Sequence, residues 1–184
     1  MAAARVTAIV ALLVTVVSTH AESKRVITED GDEYTVSAKG RNIRVEALTF
    51  TVVFSVPEGW QTSTCPATDK GCVFAAQSSH ADLSLAFSIY RTNRGSTLAG
   101  PPYDRHFRHF VVSEPPFLLP DGRRVGPMGE YPDHLDRRLL VPVVEGEHYC
   151  NFAFSASSAA ALRTSRKTIQ LILDSYVYLV PKAI

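Results

Sequence analysis

Between Phe50 and Val56 the chain alternates: Phe50, Val52, Phe54 and Val56 fall on one side of an extended segment, and Thr51, Val53 and Ser55 on the other. A period of two predicts a strand with one buried face, and Pro57-Glu58-Gly59 ends it with turn chemistry. Asp82 to Tyr90 repeats the pattern, with Leu83, Leu85, Phe87 and Ile89 opposite Asp82, Ser84, Ala86, Ser88 and Tyr90. Val73 to Gln77 precedes it across Ser78-Ser79-His80-Ala81, which predicts a hairpin. Leu139 to Val144 and His148 to Phe154 predict another, closed at Glu145-Gly146-Glu147. Upstream, Lys24 to Ile27 and Tyr34 to Ala38 read as short strands in a polar stretch running to Asn42. The cluster Glu29-Asp30-Gly31-Asp32-Glu33 lies between them. Its charges invite a calcium reading, but no EF-hand spacing follows and a solvated turn accounts for them.

Near the C-terminus the period lengthens. Leu162, Ser165, Ile169, Ile172, Leu173 and Tyr176 recur at steps of three and four, with Arg163, Arg166, Lys167 and Gln170 opposite, which predicts an amphipathic helix. Ser155, Ser157 and Ser158 offer N-cap oxygens. The basic residues read as its solvated face. From Tyr176 to Val180 the period returns to two, a last strand. A further helix is predicted over Tyr103 to Val112, opened by Pro101-Pro102. Strands in local hairpins interrupted by helices predict an α+β domain, a mainly antiparallel sheet packed against helices.

The first residues belong to a different class. One cation, Arg5, precedes an uncharged run from Val6 to Val17 that closes on Thr19-His20-Ala21, the layout of a signal peptide over Met1 to Ala21. That run is shorter than the roughly 18 to 20 residues that a membrane-crossing helix needs, and no later segment reads as a stop-transfer. Residues 22–184 are expected to be one exported domain, soluble in the periplasm or outside the cell. Against 19 Lys and Arg stand 18 Asp and Glu, and the leader takes one cation, so the remainder is balanced. A balanced chain lacks the basic surface that nucleic acid or an anionic membrane requires. With 46% apolar residues it is no disordered segment either. In an oxidising compartment the three cysteines allow one bridge and leave one thiol. Cys65 and Cys72 bracket a turn-like segment and close the shortest loop, which favours their pairing. A Cys72 to Cys150 bridge between strands is the competing one. Cys150 runs in phase with Phe152 and Phe154, which places it in the core.

Phe54-Ser55-Val56-Pro57-Glu58-Gly59-Trp60 resembles the strand and Pro-x-Gly-Trp opening of PsbP-like and DcrB-like domains. Their order of hairpins, then a C-terminal helix and a last strand, is similar to the order from Arg41 to Val180 here. The resemblance implies an antiparallel sheet of about six strands between helices. It also implies a non-enzymatic role, binding or stabilising a protein partner in an envelope, lumenal or secretion-linked setting.

Candidate chemistry is sparse. His106 and His109 stand three apart, and Asp133, His134 and Asp136 follow in a later loop; together they define a metal-dependent hydrolase as one alternative. His148 and Cys150 share a strand face, yet a catalytic thiol needs exposure and a depressed pKa, and the phase of Cys150 argues for burial. No nucleophile elbow, Walker loop or dinucleotide fingerprint is present, and no catalytic residue, cofactor or metal is assigned. The Pro- and Gly-rich stretch from Ser113 to Pro132 is the stronger candidate. Phe117, Leu118, Arg123, Arg124, Met128 and Tyr131 mix apolar anchors with guanidinium groups, the blend enriched in protein interfaces. Two readings stand: the stretch presents these residues to a partner, another envelope or secreted protein, or its apolar residues pin it to its own domain. An inhibitor or immunity-type protein that caps an envelope-acting enzyme fits the same features.

Overall fold

A computed structural model of the chain describes residues 22–28, 31–65, 71–80, 82–91, 109–111, 115–130 and 137–181; the side chains of Glu22 and of residues 109–111 and 128–130 lie outside that description. Residues 1–21, expected to be a signal peptide, and most of the segment from Tyr103 to Val112 are therefore outside it too. Fourteen strands and two short helices are described, and every strand pair is antiparallel.

The expected sheet of about six strands is in fact two sheets. The first has five strands: β1 (Glu22–Ile27), β2 (Glu33–Lys39), β3 (Asn42–Glu46), β4 (Thr51–Ser55) and, joined at its end, β14 (Val177–Leu179). The second has seven, in the order β5 (Gln61–Ser63), β6 (Cys72–Gln77), β7 (Leu83–Arg91), β13 (His148–Ala156), β12 (Arg138–Glu145), β11 (Met128–Glu130) and β8 (His109–Val111). A separate ribbon pairs β9 (Phe117–Leu118) with β10 (Arg124–Val125).

Period two fixes which residues meet between the sheets. From the first come Val36, Ile43, Val45, Val52 and Phe54; from the second come Phe74, Leu85, Phe87, Val141, Cys150, Phe152 and Phe154, all in one buried cluster. Phe54 is the hub. Its ring centroid lies 4.9 Å from Phe87, 5.3 Å from Phe152 and 5.7 Å from Phe74, so one side chain of β4 stitches three strands of the facing sheet. Tilted and edge-to-face aromatic pairs of this kind add stabilisation beyond the area they bury. The β1–β2 hairpin turns through Thr28 to Asp32, where Thr28 N donates to Asp32 O and Gly31 adopts φ +80°. Glu29 and Asp30 of the acidic cluster are outside the described residues.

The C-terminal helix starts where its cap was expected and breaks where no break was. Ser158 Oγ accepts from Ala161 N at 3.1 Å, opening α1 (Ala159–Thr164). At Ser165 the hydroxyl and the backbone N–H both donate to Ala161 O, and α2 (Arg166–Asp174) begins afresh. Ile169, Ile172 and Leu173 of α2 and Tyr176 beyond it join the core. Among the described residues no helix is long and apolar enough to cross a membrane. The helix expected over Tyr103 to Val112 gives way to strand β8 where that span is described, because pairing of His109, Phe110 and Val111 with Glu130, Gly129 and Met128 decides it.

Candidate functional site

The Pro-rich stretch is held by α2, and the polar face of that helix does the holding. Phe117 is 1% exposed, and the Arg166 guanidinium lies 4.2 Å from its ring centroid. Arg166 also donates to the carbonyls of Pro115 and Pro116. Gln170 treats Leu118 as a neighbouring strand would: its Nε2 donates to Leu118 O at 2.7 Å, and its Oε1 accepts from Leu118 N at 3.3 Å. The face read as solvated thus carries two side chains that clasp a segment fifty residues upstream. Leu119 is buried as well, and Gly122, at φ +84°, turns the chain from β9 into β10.

Arg123 then ties the ribbon to β12. Its Nη1 donates to Val144 O at 2.8 Å, its Nη2 pairs with Glu145 at 2.6 Å and its Nε with Asp121 at 2.6 Å. Hydrogen bonding to Glu145 raises the Arg123 pKa, and the Arg123 backbone N–H holds the Asp121 carboxyl below its usual range. Of the six residues singled out for a partner, Phe117 is therefore a core anchor and Arg123 an intramolecular clamp. Leu118 is 51% exposed and Arg124 is exposed. Met128 lies in β11, paired through its backbone with Leu140 and Val111, and Tyr131 lies outside the described residues.

Cys65 and Cys72 form the bridge favoured from the sequence, at S–S 1.98 Å. Cys150 is the free thiol, fully buried as its phase implied. Burial pushes its pKa up to about 12, with the neighbouring Tyr176 hydroxyl opposing the shift in part, so it stays a thiol at neutral pH. Among the described residues the Tyr176 hydroxyl, buried beside it, has no hydrogen-bond partner within bonding geometry, and burial drives its pKa upward. His148 shares the strand face of Cys150 but serves Tyr178: its Nδ1 lies 3.3 Å from the Tyr178 hydroxyl, and Phe50 packs 4.4 Å from its ring. Burial, aided by Arg91, lowers the His148 pKa. A neutral imidazole turned toward a phenol and a protonated thiol inside the sandwich do not form a nucleophile and base.

Among the described residues no three His, Cys, Asp or Glu side chains lie close enough to hold a metal ion. His106, Asp133, His134 and Asp136 are outside those residues, and of His109 only the backbone, in β8, is described. A cleft between Lys24, Val36 and Ala38 on one sheet and Thr62, Ser63 and Phe74 on the other measures about 40 Å³, room for only a few waters.

The remaining feature is an edge. β14 closes the five-stranded sheet and pairs only with β4 among the described residues, Val177 opposite Val53 and Leu179 opposite Thr51. Tyr178 points inward. Val177 and Leu179 point outward at 43% and 47% exposure, and Val180 follows at 65%. Comparison with protein-family models and with curated proteins finds no match. The period-two signal at Tyr176 to Val180 marked this strand, but which edge it occupies depends on its pairing with β4.

Proposed function

We propose that the chain is an exported, non-enzymatic protein-binding module of the periplasm or cell envelope, of PsbP-like or DcrB-like type. The β14 edge carries this reading. There two aliphatic residues at i and i+2, and a third at Val180, face solvent in line on a strand that is paired on one side only among the described residues, whereas the exposed aliphatic residues of other described strands, Ile27, Leu118 and Val144, stand singly. Exposed aliphatic residues in line on a sheet edge are an association surface or a liability that folded proteins remove. The order of hairpins, then α2, then β14 keeps the succession that the resemblance implies, with two sheets in place of one. The Pro-rich stretch contributes less to this reading than its composition promises, because α2 holds its aromatic anchor.

Affinity capture from the envelope fraction of the source cell tests the proposal. The chain without its leader, immobilised through its N-terminus, is expected to retain one specific protein that the urea-unfolded chain does not. Recovery of no specific protein across ionic strengths and detergents overturns the reading.

A further inference from the structure

A sheet edge offers a row of backbone N–H and C=O groups, and proteins that must not bind there blunt it with charge, proline or brevity. The two edges of the first sheet differ in this respect. β1 carries Lys24 and Arg25, the latter paired with Glu33 of β2. β14 carries no charge anywhere from Ser175 to Val180. In the second sheet the edge strand β5 shows Gln61, Thr62 and Ser63, all polar and exposed. The β14 edge is thus uncharged and apolar where β1 and β5 are charged or polar.

We propose that β14 is a strand-addition site that takes an extended, uncharged segment of another protein as a sixth strand of the first sheet. The inference rests on the protein-binding reading and names the chemistry of the partner. Main-chain hydrogen bonds along the edge that has no strand neighbour among the described residues supply the affinity, and alternate side chains supply the choice of sequence. Opposite Val177 and Leu179 the added strand places side chains on the outer face, so apolar residues are selected at two positions one residue apart. Between them, its inward residue meets Tyr178, which is half-buried and tied to His148. Pro181 has no N–H to donate, so the register stops at Val180. Area decides against a second copy of the same chain. A stable pair of folded copies covers about 800 Å² on each partner, far beyond what a three-residue strand with two half-exposed aliphatic side chains presents.

The probe is a short capped peptide alternating Thr and Val, labelled with fluorescein and titrated with the full chain while anisotropy is read. Saturable binding is expected, with amide exchange of Val177 to Leu179 slowed about tenfold or more at saturation. The Val177→Lys, Leu179→Lys variant, with an unchanged urea midpoint, is expected to lose about tenfold or more in affinity, as is a peptide with Lys in place of Val. A Val177→Thr, Leu179→Thr variant, which keeps strand propensity and adds no charge, retains main-chain pairing and loses less. No saturable change up to about 1 mM peptide overturns the proposal, as does protection confined to other strands or equal binding by the lysine variant. A dimer in sedimentation that disappears in the lysine variant also overturns it, by making the occupant a second copy. A captured partner whose retention is indifferent to β14 leaves the module reading standing and removes this inference alone.

Discussion

Phe117→Ala separates a structural anchor from a binding residue. The ring is 1% exposed and lies under Arg166, so truncation removes a buried aromatic from the seam between β9 and α2. Phe-to-Ala changes in filled cores cost about 3–5 kcal/mol, and loss of a half-exposed cation–π contact adds about 0.5–1 kcal/mol. For a domain of this size, with a urea m-value of about 2 kcal/mol/M, the midpoint should fall by about 2 M. Arg166→Met keeps most of the stem and removes the charge together with its bonds to the Pro115 and Pro116 carbonyls, for about 1–2 kcal/mol. In a double-mutant cycle the two changes should couple by about 0.5–1 kcal/mol, because they share one contact. Urea denaturation followed by far-UV circular dichroism supplies all four corners. A loss under about 1 kcal/mol for Phe117→Ala, with no coupling, would refute the clasp and return Phe117 to the set of partner-facing residues.

The alkaline limb of stability should report Cys150. Its native pKa is raised to about 12, so the unfolded thiol ionises first, and stability present below about pH 8.5 is lost as pH rises. About 1 kcal/mol should disappear between about pH 8 and 9.5, and Cys150→Val should remove most of that slope, leaving the part due to Tyr176 and Tyr178, whose pKa values are also raised by burial. His148 works in the acid direction. Its native pKa is lowered, so the unfolded state takes up its proton first and stability is lost as pH falls through the ordinary histidine range, about 6.5. His148→Gln should flatten the thermal midpoint against pH across that window relative to the parent. Gly71→Ala should destabilise by about 2 kcal/mol, because φ is +66° and a Cβ would sit 2.5 Å from Tyr90 Cε1. Placing Tyr90→Ala beneath it should recover the steric part in a thermal melt but not the backbone part.

Strands whose period two ran for several residues were legible: Phe50 to Val56, Asp82 to Tyr90 and the hairpin from Leu139 to Phe154 stand where alternation put them. So do the Ser158 cap, the buried Cys150 and the Cys65 to Cys72 bridge, since each depends on neighbours close in sequence. β3 was not legible, because only Ile43 and Val45 mark its buried face among Arg41, Asn42, Arg44 and Glu46. Alternation says that one face is buried but not what buries it, so a single sheet between helices and two sheets facing each other read alike. His109 to Val111 shows the same limit: the helix start signalled by Pro101-Pro102 yields, where the span is described, to pairing with β11. In the candidate site, composition pointed to Phe117 and Arg123 as partner-facing. Their burial and clamping come from Arg166, Gln170 and Glu145, more than twenty residues away in each case, and no local pattern announces such contacts. Only the edge position of β14, set by its pairing with β4, turns the short apolar ending into a candidate surface.

The most direct test of partner binding places a photo-crosslinking amino acid at position 179 of the protein in its own cell, with positions 118 and 44 as comparisons. If β14 binds a partner, position 179 gives one discrete adduct with another protein, absent when Val177 is changed to Lys and absent from position 44. No adduct from 179 or 118 would contradict it.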